Sequence, residues 1–271
     1  MKTRLVTVPG AQLQVAVWGT GEPIVFIQTA LTADELQPIA DAAALEGYCK
    51  VLYYRRGYAG SSPVEGPGSI TRDAADCLAL LHKLDIECAH VVGLSYSGAV
   101  ALQLAADAPK ISHSLTLIET PPVHTPSTRE FRAANDQLIE SRLRQGPAAA
   151  LDEFLTLVIG PSWHQVAEEQ LPGSPAQMRR DTATFFDVDL PALLEWRFDR
   201  DDAARISCPV LYIGGTNSGR WFAEARELML SWFSHAEDVA IEGADHSLAL
   251  THSEEIADAL MGFLRRHPLG Q

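Results

Sequence analysis

The residues with the clearest chemical potential lie in one short run, Gly93-Leu94-Ser95-Tyr96-Ser97-Gly98. An apolar stretch, His90 to Leu94, leads into it, and a stretch rich in small residues, Ser97 to Ala106, leads out; the two read as a strand and a helix in immediate succession. A serine wedged at such a corner sits on a strained turn, and small residues two places before and after it let strand and helix pack closely. Gly93 meets that need, while Ser97 stands where glycine is usual, with Gly98 directly behind it. The corner would lift the Ser95 hydroxyl above the sheet, and the helix start would aim the Tyr96 backbone N–H at an oxyanion forming there. Taken alone, the run also fits an ordinary Gly-Ser turn before a helix, because short motifs match by chance.

A free serine hydroxyl is a poor nucleophile near neutral pH, so Ser95 needs a base, and the base needs an orienting partner. The surrounding elements must supply both. Leu5–Val8 and Leu13–Trp18 read as an antiparallel hairpin around Pro9-Gly10, followed by a buried strand at Ile24–Ile27 and a helix through Glu46. Lys50–Tyr54 is the next strand and leads into the glycine-punctuated run from Arg55 to Ser62. Ala74, Leu78, Leu81 and Leu84 recur at helical spacing between Thr71 and Leu84. After the Ser95 corner come a strand at Ser114–Ile118, ending at Glu119, then Pro121-Pro122. This alternation predicts a doubly wound, mostly parallel α/β sheet of eight strands.

From Pro121 to about Arg205 no strand pattern appears, and helical patterns are broken by Gly146-Pro147, Gly160-Pro161, Pro172-Gly173 and Pro191. The excursion is too long for a loop and predicts an inserted helical cap, residues 121–205, over a core made of 1–120 and 206–271. Within it Trp163, Phe186 and Trp196 are candidates to line a pocket, though most such aromatics would form the cap's own core. The sheet resumes at Pro209–Gly214, a helix follows at Arg220–Trp232, then a strand at Asp238–Ile241 and the turn Gly243-Ala244-Asp245-His246-Ser247. A last helix begins near Thr251 or Ser253 and carries Ile256, Leu260, Phe263 and Leu264 on one face.

In a doubly wound sheet the loops at the carboxyl ends of the strands converge on one crevice. Here those loops offer Gln28 to Leu31, Glu119 and His246. The net charge of −14 argues against nucleic acid or an anionic membrane as partner, since both require basic patches. Four scattered cysteines and nine unclustered histidines give no metal-ligand spacing, so no metal and no cofactor are expected. The start, MKTRLVTVPG, lacks the apolar core of a signal peptide, and a cytoplasmic location is expected. Nothing in the sequence fixes the oligomeric state.

With these residues in hand, the chain resembles the α/β-hydrolase-fold superfamily over nearly its whole length. The resemblance rests on GLSYSG, on RRGYAGSS after the fourth strand, on PVLYIGG and on GADHSLAL. It implies a chain order of nucleophile, acid and histidine, and so assigns Ser95 as nucleophile and His246 as general base. Two departures stand out. The family's acid lies just after the PVLYIGG strand, where this chain has Gly215-Thr216-Asn217-Ser218 and no carboxylate. Some relatives, including certain haloalkane dehalogenases and zearalenone-type lactonases, keep the acid at the preceding strand end, which here is Glu119; Asp245 is the weaker alternative. The family's His-Gly after the third strand is Gln28-Thr29 here, and Ala30 or Thr29 is expected to join Tyr96 in the oxyanion hole, with Gln28 and Leu31 as further substrate contacts.

The resemblance implies a serine hydrolase acting on a small hydrophobic ester or lactone. It also leaves open a carbon–carbon bond hydrolase or lyase on the same fold, or a ligand-binding protein with little turnover.

Overall fold

The computed structural model describes residues 2–270. Strands β1 (Thr3–Val8) and β2 (Ala11–Trp18) form the opening hairpin, followed by β3 (Pro23–Ile27), the short helix α1 (Gln37–Asp41) and β4 (Cys49–Tyr53). Then come α2 (Ile70–Lys83), β5 (Ala89–Leu94), α3 (Tyr96–Asp107) and β6 (Ser112–Ile118). A wholly helical segment follows: α4 (Thr128–Gln145), α5 (Pro147–Val158), α6 (Trp163–Gln170), α7 (Ser174–Thr184), a π-helical turn at Phe185–Asp189, α8 (Leu190–Glu195) and α9 (Arg200–Ala203). The chain closes with β7 (Val210–Gly215), α10 (Arg220–Trp232), β8 (Glu237–Ile241), α11 (Leu248–Thr251) and α12 (Ser253–Arg266).

The strands form one eight-stranded sheet in the order β1-β2-β4-β3-β5-β6-β7-β8. The β1/β2 and β2/β4 pairs are antiparallel and every later pair is parallel. The period-2 alternation of the central strands explains the two cores. Val25, Ile27, Val51, Val91, Leu115 and Leu117 turn to one face and pack under α2, α3 and α10. Ile24, Phe26, Leu52, Val92, Ile118 and Ile213 turn to the other, against α1 and α12. Burial on both faces is what a near-continuous apolar strand such as Pro23–Ile27 encodes.

The helix expected to run through Glu46 is instead broken at Ala42, whose extended backbone (φ −59°, ψ 141°) separates α1 from a single 3₁₀ turn at Ala43–Leu45. The break lets Ile39 and Leu45, both fully buried, turn onto the same face of the sheet. Between β6 and β7 the glycines fall at breaks between helices, Gly146 at φ 94° and Gly173 at φ 86°. That segment has its own apolar cluster, built around Leu138, Leu151, Leu155, Met178 and Phe185, and Leu31 of the core joins it. Among the described residues, no helix is long and apolar enough to cross a membrane.

Candidate active site

Ser95 occupies the tight turn between β5 and α3 with φ 48° and ψ −118°, a backbone conformation L-residues rarely adopt. Such strain persists only where surrounding structure over-determines it, and it clusters at functional sites. Here the clamp is visible: Ser95 N–H donates to the Ile118 carbonyl at 2.9 Å, fastening the corner to β6. A Cβ on Gly93 would lie 2.4 Å from the Ser97 carbonyl oxygen, so only glycine fits there. Ser97 is accommodated where glycine is usual because its hydroxyl folds back on the strand end. The Leu94 N–H donates to Ser97 Oγ at 2.9 Å, and Oγ donates to the Leu94 carbonyl at 3.0 Å.

Glu119 stands at the end of β6, also at positive φ (42°), and is 1% exposed. Its Oε1 accepts the Gly215 N–H at 2.8 Å, and its Oε2 lies 2.6 Å from His246 Nδ1. A carboxylate only accepts, so Nδ1 carries the proton and Nε2 is left as an acceptor. Nε2 sits 3.3 Å from Ser95 Oγ, within reach of the hydroxyl proton. The imidazole is held on its face by Phe222 from α10, stacked at 3.8 Å between ring centroids with a 19° interplanar angle.

The loop after β7 makes no claim on this histidine. Asn217 Nδ2 donates to the Gly243 carbonyl at 3.1 Å, and the Asn217 N–H donates to the Ala244 carbonyl at 2.8 Å. Asp245 Oδ1 accepts from the Ser247 N–H and hydroxyl. The longer Glu119 side chain spans the end of β7 and uses the Gly215 N–H as its second anchor.

A second buried assembly fixes the 28–31 loop. Arg55 donates from Nε to the Gln28 carbonyl (2.9 Å) and from Nη2 to the Thr29 carbonyl (3.2 Å). Its remaining N–H groups meet Asp73 of α2 at 2.8 Å and both carboxylate oxygens of Asp189 at 3.0 and 2.9 Å. Burial disfavours the guanidinium charge, but Asp189 and then Asp73 outweigh it and hold its pKa well above the ordinary value. The Tyr58 hydroxyl donates to Asp189 and accepts the Leu31 N–H at 2.8 Å. The Tyr96 hydroxyl donates to Asp73 at 2.9 Å. Both flanks of the expected oxyanion hole, the 28–31 loop and Tyr96, are therefore tied to one cation.

Above Ser95 lies a chamber bordered by Thr29, Ala30, Leu31, Tyr96 and His246, with apolar side chains of α4, α5 and α8 and of the π turn completing the wall. The Leu31 N–H is committed to Tyr58, whereas the Thr29, Ala30 and Tyr96 N–H groups have no partner among the described residues. Four expected substrate contacts lie elsewhere. Gln28 is 2% exposed and both ends of its amide are used, Oε1 by the Arg55 N–H at 3.0 Å and Nε2 by the Thr29 carbonyl. Trp163 packs inside the helical segment. Phe186 lies there too, under the Arg142 guanidinium, and its neighbour Phe185 is the ring that reaches the chamber. Trp196 donates from Nε1 to Gln103 Oε1 at 2.9 Å and lies against the tilted rings of His124 and Phe198, outside the chamber lining. Between Phe185 and Phe186 helical phase decides, and it cannot be read where a π turn shifts the register by one residue.

Phe222, Glu35, Asn135 and Arg55 were not singled out in the sequence. Arg55 alone carried a signal, since it lies in the RRGYAGSS run; its partner Asp189 is 134 residues away.

A profile of the alpha/beta hydrolase family matches residues 5–259, and the chain belongs to that family. The enol-lactonase from Burkholderia xenovorans LB400 superposes with a TM-score of 0.77 at 22% identity, covering 97% of this chain and 100% of that one. A thermophilic esterase from Thermogutta terrifontis superposes at 0.78 and 20% identity, over 99% and 100%. In sequence, RutD of Pseudomonas syringae pv. syringae (strain B728a), provisionally named a carbamate hydrolase, is 26% identical over 225 residues, 80% of this chain and 84% of its own.

Proposed function

We propose that the protein is a serine hydrolase that cleaves a carboxylic ester or lactone through an acyl-enzyme, using chemistry supplied by its own side chains. The observation that carries this reading is the hydrogen-bonded series Glu119–His246–Ser95 opening onto a largely apolar chamber. His246 Nε2 takes the Ser95 proton as Oγ attacks the substrate carbonyl, and Glu119 stabilises the imidazolium that forms. The negative charge on the carbonyl oxygen is met by the N–H groups of Tyr96 and of Ala30 or Thr29; one such donor is typically worth about 3 kcal/mol in the transition state. The imidazolium then protonates the leaving alkoxide. A water, deprotonated by the same Nε2, attacks the acyl carbonyl and releases the acid and free Ser95.

The esterase and lactonase names of the structural neighbours support this reading at the level of reaction class. Ser95→Ala should lower turnover of a p-nitrophenyl ester by at least about 10⁴-fold and abolish fluorophosphonate labelling. Retention of ester turnover in that variant would sink the assignment.

A further inference from the structure

The chamber has an asymmetry that the hydrolytic reading leaves unused. Most of its wall is apolar, yet polar side chains away from the reacting atoms interrupt it: Thr32 and Glu35, from the loop after β3, and Asn135, from α4. No lysine or arginine lines it.

Asn135 is only 2% exposed, and its Nδ2 donates to the Phe131 carbonyl at 2.7 Å. A carbonyl oxygen can only accept, so that bond fixes which way the amide is turned. Oδ1 is left as an acceptor with no partner among the described residues, in a side chain that borders the chamber. An acceptor left open in this way is available to a donor group on a ligand in the chamber.

Glu35 is partly buried and borders the same space. Burial pushes its carboxyl up to about 7, while the charge of His246 and a hydrogen bond from Thr32 act in the opposite direction. His246 is the titratable group facing it across the chamber; behind the imidazole, Glu119 is committed to Nδ1 and to the Gly215 N–H.

We propose that the acyl group entering this chamber is apolar, bears no negative charge, and carries a hydrogen-bond donor, an amide N–H or a hydroxyl, that Asn135 Oδ1 accepts, while Glu35 excludes acyl groups ending in a carboxylate. The inference rests on the ester or lactone reading and narrows it. A chamber whose wall holds an acceptor without a protein partner among the described residues favours the ligand that donates to it over an isostere that cannot. A second carboxylate beside Glu35 meets like charge in a largely apolar wall with no lysine or arginine to offset it.

Three p-nitrophenyl esters of similar length separate these effects: the hexanoate, the mono-ester of adipic acid and the N-acetyl-β-alaninate. They should be compared at about pH 8, where Glu35 is mostly ionised, with the uncatalysed rates subtracted. In the wild type we expect kcat/KM for the adipate ester to fall at least about 30-fold below the hexanoate, and that for the acetamido ester to rise about 10-fold above it. Glu35→Gln should raise the adipate-to-hexanoate ratio at least about 10-fold, and Asn135→Leu should erase the acetamido advantage, whatever the absolute rates. Wild-type efficiencies within about threefold of each other for all three esters would overturn the inference, as would ratios that neither variant moves. The wild-type series decides alone if a variant fails to fold. Equal turnover of the three esters would leave the hydrolytic reading standing, whereas no turnover of any would overturn both.

Discussion

Two buried carboxylate assemblies flank the Ser95 corner, and they differ in the group each carboxylate holds. On one side Glu119 holds His246, and on the other Asp73 and Asp189 hold Arg55. Both are taken out of water, where charges must be paired to be tolerated. The difference lies in the nitrogen group. An imidazole has one ring nitrogen left to accept a proton, so under the proposed mechanism the Glu119 pair gains its charge during turnover. A guanidinium never lets go of its proton, so the Arg55 pairs are permanent and serve as a frame. The reach of each assembly follows: the first joins β6 to the turn after β8, while the second joins the 28–31 loop, α2 and the π turn of the helical segment. The proposed function makes the first pairing reactive, and the contacts of the second make it structural.

Breaking one member of each assembly should separate the two roles. Glu119→Gln keeps the shape but leaves His246 without its charge partner, and kcat should fall by about 10³- to 10⁴-fold with little change in denaturant midpoint. A loss under tenfold would move the acid elsewhere. Asp189→Asn should show the reverse weighting: a stability loss of about 3 kcal/mol in urea unfolding and a smaller kcat loss, about 10- to 100-fold, as the oxyanion loop slackens. An unfolding curve matching wild type would show that Asp189 is no part of the frame.

The pH dependence sharpens the contrast further. Glu35 belongs to neither assembly, and its folded-state pKa of about 7 lies above its ordinary 4.5. The native state therefore holds this proton more tightly than the unfolded chain. The stabilisation is fully present below the ordinary value and is lost as pH rises through the folded one. Glu35→Gln should gain on wild type across that window by an amount on the order of 2 kcal/mol, measured by urea unfolding at each pH. A constant difference would mean the carboxyl is not perturbed in the fold. The smallest effect is reserved for Asn217→Ala, at the position the family uses for its acid, where kcat should change by about twofold or less.

Much of the fold was legible because apolar periodicity is a local property. The run at Pro23–Ile27 and the spacing within Ile70–Lys83 report burial directly, and the strands appear within two residues of where the pattern puts them. The Ser95 corner was legible for the same reason, since the small residues that make room for it, Gly93 and Ser97, lie two positions to either side, although the bond to Ile118 that clamps it comes from β6. The break at Ala42 was hidden, because an alanine-rich stretch is helical by propensity and only packing against α12 bends it. Choosing between Phe185 and Phe186 was beyond the pattern too: the π turn that rotates one ring toward the chamber is a tertiary compromise.

The sequence by itself determined the strand–corner–helix unit, the order of Ser95, Glu119 and His246, and the vacancy after β7, all of which depend on residue type and near neighbours. Only the tertiary structure decided that Glu119 reaches His246 across the end of β7, that Arg55 finds Asp189 from 134 residues away, and that Asn135 and Glu35 share one chamber. Those contacts depend on the order in which parallel strands are laid side by side, and strand order is a property of the assembled sheet that no window of sequence contains.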